Sequence, residues 1–301
     1  MKIYFFLILA ILFWSGNFIL GRFVHADIDP MTLSLFRWSI VLVLLSPYIF
    51  VKRVNIFSAI RNNFLILFIL GVLGISGFNT VLYYGLQYTT ATNSLLINSS
   101  IPLIIILLNF FIFKSPLSKY QFLGIILSTI GVIFLVIKGD VSNLLNLEFN
   151  KGDFLIIVSS LIWALYSILI KYKPKDLNPF EFISAITLLG VIVLFIVYYS
   201  TGHSLHLSSF IYDVKIYYVV LYMAIFPSLL SFYFWNKGIF EIGANKTGQF
   251  THIMPIFGIF LAYFILNESI EIYHLYGILL IGMGIYTSLF YKKEKTISTK
   301  G

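Results

Sequence analysis

The chain is a series of apolar runs, each about as long as a helix that crosses a membrane. A hydrocarbon core of about 30 Å needs roughly 20 helical residues, and short links separate the runs. The ten runs are residues 3–22, 31–51, 64–86, 91–113, 118–138, 153–171, 179–200, 215–237, 244–266 and 273–291. Of the 301 residues, 59% are hydrophobic and 11% are charged, which excludes an ordinary soluble domain. We therefore predict an all-α polytopic membrane protein with ten transmembrane helices.

The Lys and Arg residues are distributed unequally between the two sides of the membrane. Side A, where the N-terminus lies, carries fourteen of the twenty, whereas the opposite side, side B, carries four. The remaining two, Arg37 and Lys246, fall within runs. The positive-inside rule makes side A cytoplasmic. We therefore expect a multi-pass protein of the cell (inner) membrane, with both termini in the cytoplasm and a basic cytoplasmic tail at residues 292–301.

The second half of the chain repeats the first. The fourth and fifth runs match the ninth and tenth at an offset of 153 residues, and the first two match the sixth and seventh at an offset of 149. The matched pairs are Ala91 with Ala244, Pro102 with Pro255, Gly124 with Gly277, Gly131 with Gly284, Trp14 with Trp163, Arg22 with Lys171 and Pro30 with Pro179. Because each unit has an odd number of runs, the two units must enter the membrane in opposite directions. We predict five-helix repeats at residues 3–138 and 153–291, joined by a periplasmic link at 139–152, which is an inverted-repeat architecture found among secondary transporters.

Four segments resemble the EamA-like branch of the drug/metabolite transporter (DMT) superfamily. They are FWSGNFILGR (13–22), YYGLQYTTATNSLL (83–96), GDFLIIVSSLIWALYSILIKY (152–172) and NESIEIYHLYGILLIGMGIY (267–286). The resemblance covers residues 3–291. It implies ten helices in two EamA repeats, a cavity between them and alternating access. Members of this branch move amino acids, other metabolites or toxic compounds, often outward, so the resemblance leaves the substrate open.

Polar residues interrupt the fourth and ninth runs at matching depths. Pro102 and Pro255 each lie eleven residues inside their run, which is about 16 Å from opposite sides of the membrane. The polar residues before these prolines are Asn98, Ser99, Ser100, Gln249, Thr251 and His252. Such groups need polar neighbours or water, so we expect them to line one substrate-binding cavity at the midplane. The alternative is hydrogen bonding between packed helices.

Two ionisable residues lie well inside the runs. His252 can bind an anionic group or accept a proton, and the alternative is a neutral imidazole hydrogen-bonded within the helix bundle. Arg37 lies six residues inside the side B end of the second run. It offers a guanidinium for a carboxylate or phosphate if it faces the cavity. Otherwise it extends to the membrane surface.

The matched first helices of the two repeats carry further candidates near the midplane. Trp14 and Asn17 lie on one of them, and Trp163 and Tyr166 lie on the other. Aromatic residues form 18% of the chain, and most belong to interfaces or lipid-facing surfaces. The expected substrate-binding residues are Trp14, Asn17, Arg37, Asn98, Ser99, Trp163, Tyr166, Gln249, Thr251 and His252. Helix kinks are expected at Pro102, Pro227 and Pro255.

The acidic residues limit the mechanism, because the twelve Asp and Glu residues all fall in links, near run ends or in the tail. A carboxylate proton relay is therefore not indicated. Facilitated transport, exchange or proton coupling through His252 fits better. Since the ionisable groups deep in the runs are basic, we hypothesise a small anionic or zwitterionic metabolite, such as an amino acid or organic anion. It would be moved outward or exchanged by alternating access through a central cavity between the repeats.

Two other function classes have less support. A membrane-embedded enzyme would be expected to show a motif such as H-E-x-x-H or G-x-S-x-G, or a cysteine nucleophile, and the chain has none of these. A channel normally shows a ring of charges or carbonyls. We expect no catalytic residue, metal site or cofactor. The expected partners are a small-molecule substrate and the lipid bilayer, with no nucleic acid, for a monomer or homodimer.

Overall fold

The computed structural model describes residues 2–114, 118–142, 149–203, 214–266 and 271–290, which are mostly helical. The helices are α1 (Lys2–Phe23), α2 (Pro30–Val51), α3 (Arg53–Asn62), α4 (Phe64–Leu86), α5 (Ala91–Asn98 and Ile101–Phe113), α6 (Lys119–Val136), α7 (Lys151–Tyr172), α8 (Pro179–Ser200), α9 (Val214–Ile242), α10 (Ala244–Gly248, Gln249–Ile253 and Met254–Leu266) and α11 (Ile272–Phe290). The predicted tail at 292–301 and part of the predicted link, residues 143–148, lie outside the described residues.

The helices confirm the predicted all-α polytopic fold. Eight of them (α1, α2, α4, α5, α7, α8, α9 and α11) contain a stretch long and apolar enough to cross a membrane. Helix α6 is a shorter apolar helix, and α10 is divided into three consecutive helical segments.

Helix α3 was not predicted, because its residues lie in a polar link between two apolar runs. Only Ile56 and Ala59 are buried in α3, one helical turn apart. The helix packs on α8, and Asn55 donates a hydrogen bond to Glu181 at 3.3 Å. Tertiary contacts therefore stabilise a helix that the hydropathy pattern does not indicate.

Capping residues explain where several helices begin and where the buried carboxylates lie. Asp29 and Asn178, which match at the offset of 149, both cap a helix that starts with proline. Asn178 forms a reciprocal capping box with Glu181, and Asn150 forms one with Asp153. The buried carboxylates of Glu181 and Asp153 therefore satisfy backbone N–H groups at helix N-termini, far from the midplane.

Close packing of α6 against α11 shows that the two repeats are inverted. A Cβ placed on Gly124 would clash with the carbonyl of Gly284, and one on Gly284 would lie 2.5 Å from the carbonyl of Gly124. Seven residues further along α6, Gly131 lies beside Gly277 of α11, which is seven residues earlier than Gly284. The two helices are therefore antiparallel, and their matched glycines contact each other reciprocally, as in a two-fold interface.

We expect Gly124→Leu to destabilise the protein, because its side chain would have to displace the backbone of α11. Overpacking of this kind costs about 1–3 kcal/mol, or more where backbone must move. The matched control is Gly282→Leu on α11, where a Cβ meets no atom within 4 Å. Thermal unfolding of the purified protein in detergent should show a lower midpoint for Gly124→Leu alone. Equal midpoints would contradict the close α6–α11 contact.

The helices are exchanged between the repeats to form two packed bundles. Helix α1 packs on α9 and α10 of the second repeat, whereas its match α7 packs on α4 and α5 of the first. We call α1, α9 and α10 the α1 bundle, and α4, α5 and α7 the α7 bundle. Each bundle thus combines helices from both halves of the sequence.

Departures from regular α-helix occur at matched positions in the two repeats. A π-helical turn spans Val72–Gly77 in α4 and Ala224–Leu230 in α9. Helix α5 is interrupted after Asn98, and α10 becomes a 3-10 helix at Gln249–Ile253. Both pairs agree with the offset of 153. Such irregular turns often lie at functional sites, and these turns supply polar residues to the interior.

Candidate functional site

A fully buried cation lies between the two bundles. Arg37 of α2 has no exposed surface, which excludes the alternative in which it extends to the membrane surface. Its Nη1 donates to Asn17 Oδ1 at 3.1 Å and to Asn79 Oδ1 at 2.8 Å, and it also contacts the Tyr83 hydroxyl. Its Nε donates to Ser228 Oγ. The network therefore joins α2 to both the α1 and α7 bundles.

The irregular turn of α9 positions Ser228 for this network. Pro227 has no N–H to donate to the carbonyl of Met223, and the Ser228 hydroxyl donates to that carbonyl at 2.6 Å. The Pro227 carbonyl accepts from Trp14 Nε1 at 2.8 Å. Pro227 thus lies in a π-helical turn that presents one hydroxyl to Arg37 and one carbonyl to Trp14.

The guanidinium of Arg37 is incompletely satisfied. Its Nη2 has no hydrogen-bond partner among the described residues, and neither has the amide nitrogen of Asn79 beside it. In the described part of the chain, none of the ion pairs within 4 Å involves Arg37. A buried charge without a counter-ion is costly inside a membrane. The site is therefore suited to accept an anionic group.

Two matched hydrogen bonds join the bundles, one in each half of the membrane. Tyr83 of α4 donates to Asn17 of α1 at 2.7 Å, in the half towards side B. Tyr166 of α7 donates to Asn236 of α9 at 2.9 Å, in the half towards side A. At the repeat offsets Asn17 matches Tyr166 and Tyr83 matches Asn236. The same phenol-to-amide bond therefore occurs twice, with the residue types exchanged.

A layer of aromatic rings lies near the middle of these helices. The rings of Trp14 and Trp163 meet edge to face with centroids 5.0 Å apart, and Phe232 lies 5.1 Å from Trp163. Trp235 and Tyr166 complete this aromatic layer. Trp235 donates to the Ser167 hydroxyl at 3.1 Å. Along α1 and α7, the layer separates the Arg37 network from the side A end.

The polar turns of α5 and α10 are buried and contact neighbouring helices. Asn98 accepts from Ser160 of α7 at 3.0 Å, and its amide nitrogen lies 3.4 Å from the sulfur of Met254. The hydroxyls of Ser99 and Thr251 donate to backbone carbonyls of their own helices. These contacts fit the packing alternative stated above for small polar residues.

His252 and Gln249 retain unused polar atoms. Both are buried. The Ser99 backbone lies near the His252 ring, but neither ring nitrogen makes a well-formed hydrogen bond within the described residues. Gln249 donates to Ser288 of α11, and its carbonyl oxygen has no partner there. The described residues therefore do not support the alternative in which the His252 imidazole is hydrogen-bonded within the bundle.

A cavity of about 710 Å³ opens at the side A ends of α5, α7 and α9. We call it the vestibule. Its lining residues are Asn109, Gln121, Ser167, Ile168, Lys171, Lys173, Lys175, Ile239, Phe240, Ile242, Gly243, Ala244, Asn245 and Lys246. None of the ten expected substrate-binding residues lines it. The vestibule ends at Ser167, which the aromatic layer contacts through Trp235.

The side B ends of the bundles are joined by hydrogen bonds. Arg22 at the end of α1 donates to the carbonyl of Leu86 at 2.6 Å, at the end of α4. Gln87 donates to the His25 carbonyl at 2.8 Å. At the repeat offset Arg22 matches Lys171, yet the Lys171 ammonium lies 2.8 Å from the ring centre of Phe113 on the vestibule side. Side B is thus bridged where side A is open.

The structure brings the expected residues together in two groups. Arg37, Asn17 and the aromatic residues Trp14, Trp163 and Tyr166 form one group. The polar turns at Asn98, Ser99, Gln249, Thr251 and His252 form the other. Pro102 and Pro255 are each the second residue of a helical segment that follows one of these turns, and Pro227 lies in the π-helical turn of α9.

Sequence reasoning missed three of the four hydrogen-bond partners of Arg37, namely Asn79, Tyr83 and Ser228. A usable signal existed for Tyr83 alone, since the offsets pair Asn17 with Tyr166 and Tyr83 with Asn236. The described residues contain no cluster of three or more His, Asp or Glu residues that could hold a metal ion.

Comparison with known proteins gives consistent matches along the chain. The profile of the EamA-like transporter family matches residues 1–137 and 150–290. The chain is 29% identical to the uncharacterised transporter YyaM of Bacillus subtilis (strain 168), over 96% of this chain and 93% of that protein. It is 26% identical to an uncharacterised transporter of Archaeoglobus fulgidus, over 95% of this chain and 96% of that protein. A crystal structure of another protein superposes with a TM-score of 0.73 at 16% identity, covering 96% of both chains, which shows a shared fold.

Proposed function

Since the chain belongs to the EamA-like transporter family, we propose that it is a secondary transporter of a small anionic or zwitterionic metabolite. An amino acid or an organic anion is the expected substrate type. The metabolite would be moved outward or exchanged by alternating access, and Arg37 would bind its carboxylate or phosphate group.

The observation that carries this proposal is the buried, unneutralised guanidinium of Arg37. Five N–H donors in a planar fork suit a carboxylate or phosphate. Four neutral oxygens already orient the group, and Nη2 remains free for a ligand. Binding an anion there would supply the missing counter-charge and stabilise the site.

The packing of the helices suggests which parts would move. Alternating access requires contacts between two bodies to open on one side and close on the other. The α1 and α7 bundles, rather than the two sequence repeats, are the packed units. Arg37 contacts the α1 bundle through Asn17 and the α7 bundle through Tyr83. The affinity of a ligand bound at Arg37 would therefore depend on the relative position of the two bundles.

The matched residues Arg22 and Lys171 suggest how the closed and open sides of the protein would be interchanged. Arg22 joins the bundles on side B by donating to Leu86. At the repeat offsets Arg22 matches Lys171, and Leu86 matches Ile239. Both Lys171 and Ile239 line the open vestibule. In the opposite conformation Lys171 would donate to the Ile239 or Phe240 carbonyl, while Arg22 would release Leu86.

A panel of radiolabelled solutes tests the proposed substrate class. The purified protein in proteoliposomes should give saturable exchange of at least one carboxylate- or phosphate-bearing solute. Organic cations of similar size should be exchanged at least about tenfold more slowly, because a like charge beside Arg37 costs several kcal/mol. Preference for cations would contradict the proposal.

The same preparation distinguishes the two alternative functions. A channel would give unitary currents in planar bilayers, whereas a transporter gives saturable flux without them. A membrane-embedded enzyme would convert a solute without moving it across the membrane, so product analysis of the external and internal solutions separates the two outcomes.

A further inference from the structure

The vestibule is a concave, strongly basic chamber that the Arg37 site does not explain. Its volume of about 710 Å³ is in the range of small-molecule sites. Its lining includes the four lysines Lys171, Lys173, Lys175 and Lys246, and it contains no acidic residue. Among the described ion pairs, none involves these four lysines. The chamber therefore concentrates positive charge.

The charges nearest the vestibule only partly offset this excess. Lys173 donates to the carbonyls of Pro174 and Leu177. Partial burial lowers the pKa of the Lys173 ammonium, and the nearby carboxylates of Asp176 and Glu181 act in the opposite direction. Glu181 is also engaged in its capping box. Lys171 packs against the rings of Phe113 and Tyr172. Lys175 and Lys246 line the same chamber.

Neutral hydrogen-bonding groups accompany the lysines. Asn109 of α5 and Asn245 of α10 hydrogen-bond to each other across the vestibule wall, and Gln121 and Ser167 also line it. Lysine ammonium groups together with amide and hydroxyl donors suit the oxygens of a phosphate or carboxylate. Clustered like charge in a concave site raises the local concentration of counter-ions.

We propose that the vestibule is an anion-binding site, separate from Arg37, for a solute or headgroup that carries a phosphate group with two or more negative charges. Four lysines around one chamber match a multiply charged anion better than a single carboxylate. The aromatic layer lies between this site and Arg37, so an anion bound in the vestibule does not contact Arg37. The anion comes either from a soluble phosphate ester or from an anionic lipid headgroup at the rim.

Titration with inorganic pyrophosphate tests the site without knowledge of the transported solute. Calorimetry on the purified protein in neutral detergent, repeated at several fixed ionic strengths, should show saturable binding that weakens from the lowest ionic strength to the highest. The double variant Lys171→Gln/Lys246→Gln should weaken binding by about tenfold, the effect of losing two partly exposed charge pairs. Lys175→Gln, at an exposed position, gives a smaller loss and serves if the double variant does not fold.

Matched controls separate this site from general charge and from the Arg37 site. Lys52→Gln/Arg53→Gln removes two exposed charges on the same side, and should change binding by less than about twofold. Arg37→Gln should also leave pyrophosphate binding unchanged, so failure of the proposed function does not affect this result. Absence of saturable binding, or equal loss in both double variants, would overturn the proposal.

Binding measurements in nanodiscs of different lipids identify the source of the anion. In nanodiscs that contain phosphatidic acid, whose phosphomonoester headgroup can carry two negative charges, a headgroup in the vestibule would compete with pyrophosphate, whereas in phosphatidylcholine nanodiscs it would not. Competition that Lys171→Gln/Lys246→Gln removes assigns the site to lipid headgroups, and undiminished binding in both lipids assigns it to soluble anions.

Discussion

Arg37→Ala should reduce transport of the substrate by about 100-fold or more. The substitution removes the cation that would bind the anionic group, and it leaves the carbonyl oxygen of Asn79 without the Arg37 donor, while Asn17 keeps the bond from Tyr83. Truncating one partner of a buried charged pair costs about 2–5 kcal/mol, and 1.4 kcal/mol corresponds to tenfold. Initial rates in proteoliposomes, over a range of substrate concentrations, measure the loss.

Arg37→Lys and Arg53→Ala make this result specific. Lysine keeps the charge but lacks the planar fork, so Arg37→Lys should retain folding and lose about tenfold or more of the transport rate. Arg53 is exposed on α3, and Arg53→Ala should transport normally. Thermal midpoints show whether a variant is folded. A folded Arg37→Ala protein with normal rates would rule out a substrate-binding role for Arg37.

A disulfide between the bundles at side B should abolish transport, and reduction should restore it. A Cβ on Gly21 of α1 would lie 3.0 Å from a terminal methyl of Leu86 on α4, so Gly21→Cys with Leu86→Cys places two thiols at facing positions that can be joined directly or through a short reducible methanethiosulfonate cross-linker. The chain has no native cysteine, so the introduced pair is the sole thiol pair. With side B fixed closed, no solute can cross, and rates should fall to those of empty vesicles.

A disulfide within one bundle is the matched control. Leu7 of α1 and Gly238 of α9 are in similarly close contact, but both belong to the α1 bundle. Leu7→Cys with Gly238→Cys should therefore form a disulfide and leave most transport intact. Equal inhibition by both disulfides would contradict movement of the α1 bundle as one unit.

The fold was largely predictable because it depends on signals that extend over many residues. Runs of about 20 apolar residues specify membrane helices, and constant offsets of 149 and 153 reveal the repeat. Helix α3 was missed, since its stability comes from packing on α8 rather than from its own pattern. The exchange of α1 and α7 between bundles was also not predicted, because the offsets match positions without specifying which helices pack together.

The interior site was predictable only in part. Arg37 and Asn17 were candidates because polar groups are rare in apolar runs. Whether Arg37 is buried or extends to the membrane surface was left open, and the partners of both residues depend on the rotation of α4 and α9. A cavity was expected at the turns of Asn98 and His252, whereas the vestibule lies nearer side A, at Lys171 and Ser167. Residue type shows which polar groups need hydrogen-bond partners. It does not show whether a neighbouring side chain or water in a cavity supplies them.

The exchanged Asn–Tyr bonds have a consequence for the direction of flux. Tyr83–Asn17 and Tyr166–Asn236 differ by only 0.2 Å in length, being 2.7 and 2.9 Å, and each is a single bond of one chemical type. Asn17 and Tyr83 also accept from the Arg37 guanidinium, however, so the side B bond belongs to a charged network and costs more to break than the side A bond, which costs about 1 kcal/mol. The two faces therefore open at unequal cost, which makes the two conformations unequally populated, whereas net flux through an uncoupled carrier would still follow whichever side holds more solute.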